Sequence, residues 1–292
     1  MSENKNKTLY PTLSVNNADE RDKNIQFQEE GHKYTILTDP DSKYTSVTTW
    51  NHSHFPHFNA GMTIDLMMKG KNWKEGHKYW GLTKEEIIKK WSDNGSSVSG
   101  FGTDLHFNIE CFMNNPPENK KKDYIHKDLL YDTNEEIKNK ELECEWEYFL
   151  QYVKDYPEFK PYRTEWLIYH EDLKLSGSID MVYENDDGTI NIYDWKRSKD
   201  ITKINKFNKF ANTYCISHMP DSNFWHYALQ LNTYKKILEE KYGKKVKELC
   251  LVRLHPDAEE KTYELIPIPD LSEDILNLFA LRKEEIKKIN KI

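Results

Sequence analysis

The sequence predicts an α/β fold with a small N-terminal β flap, and three observations carry that reading. A β-hairpin pattern runs from Leu175 to Lys196, amphipathic helical periodicities stand before and after it, and three short β-like runs crowd between Ile25 and Thr49. In the hairpin, Leu-Ser-Gly-Ser-Ile-Asp-Met-Val-Tyr and Thr-Ile-Asn-Ile-Tyr-Asp-Trp-Lys are rich in β-branched and aromatic residues. Asn185-Asp186-Asp187-Gly188 between them is a turn signal. Successive side chains of a strand point to opposite faces, so Asp194 and Lys196 share one face and Trp195 points away. An antiparallel return can set Asp180, on the first strand, close to Asp194.

Two carboxylates and one lysine then converge. Carboxylates suit Mg²⁺ and Mn²⁺, and a bound cation can polarise a phosphoryl oxygen and lower the pKa of its water. Lys196 could hold or deprotonate the attacking water, or stabilise charge building on phosphate. The alternative is that all three are solvent-facing strand residues, since exposed Asp and Lys are common. The hairpin alone leaves both readings open.

Composition narrows the class. The 292 residues are 37% hydrophobic and 13% aromatic, enough for a sizeable core despite 31% charged residues. No stretch approaches the roughly 18 consecutive apolar residues of a membrane span, so no membrane association is expected. The N-terminus, Met-Ser-Glu-Asn-Lys-Asn-Lys, has neither a signal-peptide core nor transit-peptide character, so an intracellular place is expected, cytoplasmic or nuclear or in a viral replication compartment. A net charge of -7 argues against indiscriminate coating of nucleic acid, while a nuclease needs only a local basic patch. The scattered Cys111, Cys144, Cys215 and Cys250 form no Cys-x-x-Cys pair and read as reduced, mostly buried thiols.

Along the chain, residues 1–22 are polar and read as a disordered tail, and 23–100 as the β flap with helices. The flap runs are Ile25-Gln-Phe-Gln, Lys33-Tyr-Thr-Ile-Leu and Tyr44-Thr-Ser-Val-Thr-Thr. The segment His52-Ser-His-Phe-Pro-His57 reads as a loop with aromatic packing ahead of a metal site, because nothing in it fixes a geometry. Helices are predicted at about 60–69 and 84–92, the second opened by a Thr83/Glu86 capping box. Ser96 to Gly102 reads as a flexible lead into a helix near Thr103, on which His106 and Glu110 share a face beside the stripe Leu105, Ile109 and Phe112. His106 there could equally be an ordinary packed histidine.

Residues 101–292 read as the main domain. It continues with a long helix from about Asn134 to Tyr156 and a strand over Tyr162 to Tyr169, followed by the hairpin. A basic stretch carries Lys199, Lys203, Lys206 and Lys209. Then come a helix over Asn223 to Tyr242 closed by Gly243, strands at Lys247–Leu254 and Thr262–Ile266, and a final helix from about Ser272. Gln230 and Tyr234, four apart, share one helix face.

This order, with acidic residues on the second and third strands, resembles the PD-(D/E)xK nuclease superfamily, and in detail its RecB-like exonuclease branch. The matching pieces are Gly102-Thr-Asp-Leu-His106, the Glu165 strand, Gly177-Ser-Ile-Asp180, Asp194-Trp-Lys196 and Gln230-Leu-Asn-Thr-Tyr234. Ser46-Val-Thr48 is similar to a motif of mitochondrial-genome-maintenance-type and viral members. One such piece is weak, but five in order on the expected elements are specific.

The resemblance implies a restriction-endonuclease-like core, with a central mixed β-sheet flanked by helices. It implies Mg²⁺ or Mn²⁺ held by His106, Asp180 and Asp194, with the Trp195 carbonyl as a further ligand, and Lys196 as the catalytic lysine. Glu165 would be a ligand or a supporting acid, Gln230 and Tyr234 would orient Lys196 or touch the strand, and Ser46 and Thr48 would contact phosphate. Independently of the resemblance, a net acidic chain would need a local path for its substrate, expected from Lys199, Lys203, Lys206 and Lys209 with the flap around Ser46 and Thr48. The implied activity is a DNA exonuclease acting on single-stranded or frayed ends in repair, recombination or replication. A structure-specific endonuclease and an inactive nucleic-acid-binding module are the alternatives. Some RecB-like relatives hold an iron–sulfur cluster through four cysteines, three of them clustered after the nuclease motifs. Here none precedes His106 and all are scattered, so no cluster is expected. No Walker-type run is present, so a helicase or other replication partner would be a separate chain.

Overall fold

In the computed structural model, which describes residues 11–131, 134 and 140–289, the predicted hairpin is the middle of a six-stranded mixed sheet. Its strands are β5 (Leu175–Glu184) and β6 (Ile190–Lys196), paired antiparallel from Met181↔Tyr193 to Glu184↔Ile190. Gly188 takes φ +76° in the turn, a conformation open to glycine, and Asp187 Oδ1 accepts the Thr189 N–H. β4 (Lys160–His170) runs antiparallel along the other edge of β5, while β7 (Val246–Arg253) joins β6 in parallel and β8 (Glu264–Pro267) closes the far edge.

Alternation along β6 decides what each face does. Trp195 and Tyr193 turn to the side covered by helix α6 (Glu143–Asp155), where Trp195 meets the rings of Phe149 and Tyr152. Ile190 and Ile192 turn the other way, into a core with Ala228, Leu231 and Leu238 of helix α7 (Asn223–Lys241). Asp194 and Lys196 continue that second row, so the face that carries them is also the α7 face. The last helix, α8 (Ser272–Ile289), adds Ile275, Leu278 and Phe279 to the same core.

The flap differs from expectation in its third run. β1 (Ile25–Gln28) and β2 (Lys33–Ile36) form an antiparallel pair as predicted. Only Thr45–Ser46 is a strand in the third run. This β3 leaves the flap and pairs in parallel with Leu175 and Ser176 of β5, and Val47–His52 is helix α2. Ser46 accepts the Thr49 N–H as its N-cap, and Val47 and Trp50 are buried against the main core, a tertiary contact that overrides β propensity.

The tail expected over 1–22 is folded from Thr12 onward, where residues are described. Helix α1 (Thr12–Asn16) buries Leu13, and Asp22 accepts from Arg163 (2.7 Å) and the Trp166 indole (3.0 Å). These partners lie more than 140 residues away in sequence, which is why local polarity misleads there. Residues 1–10 lie outside the described residues. So do 135–139 of the long helix expected from Asn134, which, after the short helix α5 (His126–Leu129), is seen as a short turn at Lys140–Leu142 and α6.

By contact the chain divides into two units. The described residues of Met1–Pro56 and Leu105–Ile292 form one, and His57–Asp104 the other, so the flap belongs with the sheet and not with the helices that follow it. In the smaller unit, Asn59 caps α3 (Ala60–Met68), and Thr83 and Glu86 exchange the predicted capping-box bonds. Helix α4 (Lys84–Met113) starts there and runs unbroken through Gly95, Gly100 and Gly102, where a flexible lead had been expected. Glycine weakens a helix by about 1 kcal/mol relative to alanine but does not terminate it. Among the described residues the four cysteines form no disulfide, and only Cys250 is buried, the other three being half-buried. Among the described residues, no helix is long and apolar enough to cross a membrane.

Candidate active site

The site lies where β5 loses a partner. β4 covers one edge of β5 along its length. The other edge is taken by β3 at Leu175 and Ser176 and by β6 only from Met181 onward. Gly177 to Asp180 therefore face a gap between two strands. β6 continues past its last pair with β5, supported on its far edge by β7 through Asp194↔Leu251 and Lys196↔Arg253. A buried backbone N–H left at such a fork needs an acceptor. Asp180 provides it, accepting the Trp195 N–H at 3.1 Å, and this fixes its carboxylate between the strands.

Three groups gather at the fork. One ligand atom each from His106, Glu165 and Asp180 lies within 4.8 Å of the other two. His106, near the C-terminal end of α4, sets Nδ1 3.5 Å from Asp180 and 3.8 Å from Glu165. Its Nε2 is 3.0 Å from the Trp195 carbonyl. A carbonyl can only accept, so Nε2 carries the proton and donates it, leaving Nδ1 toward the carboxylates. A histidine anchored in this way through its far nitrogen is set up to ligate through the near one. The Trp195 carbonyl, expected as a further ligand, here accepts the bond that orients His106.

Glu165 holds φ +42° within β4, a left-handed conformation that costs a non-glycine residue of order 1–3 kcal/mol. The pairs on either side, Thr164↔Met181 and Trp166↔Ile179, place it across from Asp180, and Ser178 Oγ donates to its Oε2 at 2.9 Å. Glu165 thus joins His106 and Asp180 in the compact group, where Asp194 had been expected. Asp194 stands beside them and is engaged by the Lys196 ammonium.

Charge is concentrated here in a partly buried site, with Asp194 buried and His106, Glu165 and Asp180 half-buried. Burial and the neighbouring Asp180 charge push the Asp194 carboxyl up to about 6, against the pull of Lys196. Burial likewise raises Asp180. Burial disfavours the His106 imidazolium, but the Asp180 and Glu165 carboxylates outweigh it and push its pKa up to about 9. For Lys196, burial is outweighed by Asp194 and Asp180, which hold its pKa above the usual lysine range. Such a crowd of opposed charges is costly to assemble unless it serves binding or chemistry.

Helix α7 supports the lysine. The Lys196 Nζ lies 4.6 Å from the centre of the Tyr227 ring, a cation–π contact. One turn on, Gln230 donates to the Tyr234 hydroxyl at 3.2 Å. Tyr234 is buried against Gly177, where an added Cβ would stand 2.7 Å from its ring. Gly177→Ala is therefore expected to cost about 1–3 kcal/mol by overpacking, and to slow turnover by displacing Tyr234 and the strand leading to Asp180. Denaturant melts and cleavage rates check this, and a variant matching wild type in both would contradict the close packing.

Two residues were missed in the sequence. Tyr227 had a usable signal, since 227, 230 and 234 fall on one helical stripe. Tyr34 had none. It comes from β2, buried, with its hydroxyl raised by burial and by the charges of Glu165 and Asp180. The flap thus lies near enough to the fork for its charges to act on Tyr34.

Other expected contacts lie further out. Ser46 is the α2 cap on β3, beside the same edge of β5, and Thr48 is exposed in that helix. Lys199 pairs with Asp257 at 3.0 Å and Lys203 lies over the Phe224 ring, so both charges have local partners. His52 and Phe55 stack with His226, and His54 meets Trp50 and Thr213, which is the aromatic packing expected of that segment.

Comparison with known families agrees with this geometry. The family model of the PD-(D/E)XK nuclease superfamily matches residues 80–291. No curated protein matches the chain.

Proposed function

The chain belongs to the PD-(D/E)XK nuclease superfamily, and on that premise we propose that it is a Mg²⁺- or Mn²⁺-dependent deoxyribonuclease of the RecB-like branch, an exonuclease working from single-stranded or frayed ends. The observation that carries the reading is the convergence of His106, Glu165 and Asp180 at the fork, with the Asp194–Lys196 pair beside them. The donor set fits a hard divalent cation, since two carboxylates and one imidazole leave room for water and phosphate oxygen. His106 Nδ1, Glu165 and Asp180 would hold the ion, with Asp194 at hand from the next strand. When bound, it would polarise the phosphoryl oxygen and ease ionisation of water.

The remaining steps belong to the protein. Lys196 is charged at neutral pH, because Asp194 and Asp180 favour its ammonium. It therefore suits stabilising negative charge that grows on phosphate better than accepting a proton, which favours the electrostatic role of the two open in the sequence. Asp194 and the Tyr227 ring fix where that charge sits. Gln230 and Tyr234 brace the α7 face against Gly177. The intact charged set favours an enzyme over an inactive binding module of the same fold.

Digestion of end-labelled linear DNA and covalently closed circles, with Mg²⁺ and with EDTA, tests the proposal. Linear strands should be degraded from their ends, circles should persist, and EDTA should stop the reaction. Equal cleavage of circular and linear single strands would make the protein an endonuclease. Cleavage in EDTA would remove the metal from the account.

A further inference from the structure

Between β6 and α7 the chain projects a tip, Ile204-Asn-Lys-Phe-Asn-Lys-Phe210, that is built rigidly and yet exposes its apolar side chains. Ile204 and Phe207 are 75% and 81% exposed, and Phe210 is 39% exposed. Lys206 and Lys209 alternate with the rings and are exposed too, and among the described residues neither has an acidic partner, unlike Lys199 with its Asp257.

The tip is held by Asn205. Its Oδ1 accepts the N–H groups of Phe207 (2.8 Å) and Lys209 (3.3 Å), and its amide donates to the Asp221 carbonyl. The Asn205 carbonyl accepts from Asn208, which takes φ +53°. Below it the base is closed by the Phe210↔Pro220 bridge and by Ala211 N–H to the Met219 carbonyl at 3.0 Å. A tip whose backbone is held in this way presents its rings at a lower ordering cost at the moment of binding.

Its position follows from the anchors on α7. The Asn223 side chain accepts the Thr202 N–H and the Trp225 indole donates to the Lys203 carbonyl, so the tip springs from the first turn of that helix. Tyr227, the ring beneath Lys196, is about one turn further along, roughly 5 Å. The tip and the lysine are thus served from the same helix end.

We infer that this tip is a stacking platform for unpaired bases of the strand being cut, with Ile204, Phe207 and Phe210 against base faces and Lys206 and Lys209 on the flanking phosphates. The inference rests on the nuclease reading and adds a residue-level origin for strand preference. The partner is a polyanion because two unpaired lysines stand out on a protein of net charge -7. It is unpaired because duplex bases hide the faces that rings would stack on, while single strands offer them.

Fluorescence anisotropy of the full chain in EDTA, with a labelled oligothymidine of about 20 nucleotides and a blunt duplex of equal length, tests it. Phe207→Ala should weaken oligothymidine binding about tenfold or more and lower the single-strand to duplex preference, Phe207→Trp should restore both, and Leu276→Ala, an exposed apolar residue on α8, should change neither. Lys206→Ala with Lys209→Ala should weaken binding and flatten its salt dependence. Oligothymidine binding that is absent or indifferent to Phe207, or an equal loss on both DNAs, would overturn the platform. So would Phe207-dependent binding to phosphatidylserine vesicles with none to DNA. Because no metal is present, the two readings fail separately. Phe207-dependent binding without cleavage under Mg²⁺ or Mn²⁺ would sink the nuclease and keep the platform, whereas cleavage of single strands indifferent to Phe207 would do the reverse.

Discussion

Asp180→Asn is expected to reduce cleavage at least a thousandfold, about 4 kcal/mol in barrier terms, with the fold intact. The amide has nearly the volume of the carboxylate, and its oxygen can still accept the Trp195 N–H that Asp180 accepts at 3.1 Å. What it lacks is charge. Glu165 would then be the one carboxylate left beside His106 Nδ1, and the cation would lose an anionic ligand whose charge water does not replace. Cleavage rates with calorimetric Mn²⁺ titration check this, and circular dichroism confirms folding. Asp194→Asn should be similarly inactive, for the different reason that Lys196 loses its anchor. Full activity in either variant would contradict the site as built.

Lys196→Ala should lower turnover by about 10²–10³ while leaving Mn²⁺ affinity largely unchanged. The ammonium is placed next to the carboxylate cluster, held by Asp194 on one side and the Tyr227 ring on the other, and it is a cation that no metal would use as a ligand. Its loss removes a positive charge from a buried site where that charge is poorly screened. Gln230→Ala and Tyr234→Phe should be milder, because their shared hydrogen bond braces the helix and does not touch Lys196. Single-turnover rates at saturating metal separate the cases. If Gln230→Ala were the more damaging, the roles assigned to the two would have to be exchanged.

Much of this site was legible because strands enforce parity. Asp194 and Lys196, two apart, had to share a face, and Trp195 had to pack on the other, where it meets Phe149 and Tyr152. The helical spacing of Gln230 and Tyr234 likewise became a contact. What escaped were features set by distant chain. The strained turn of Glu165, which brings it into the compact group in place of Asp194, depends on its pairing across β5 and on Ser178. Tyr34 feels the charges of the fork only because the flap folds with the sheet, and β3 leaves that flap to pair with β5. The polar stretch before Ile25 looked loose because its partners, Asn114, Arg163 and Trp166, come from elsewhere in the sequence. In α4, composition suggested a break at the glycines, yet the helix continues into Leu105, Ile109 and Phe112, whose burial outweighs the weak local propensity.

The central claim is that one divalent cation sits at the fork between β5 and β6. Its most direct test is an anomalous-difference map from a crystal of the wild-type protein soaked in Mn²⁺. The account predicts a single strong peak in contact with His106 Nδ1 and the carboxylates of Glu165 and Asp180, with the Lys196 ammonium beside it and outside its coordination. Mn²⁺ bound away from these three residues, or no peak at saturating Mn²⁺, would contradict it.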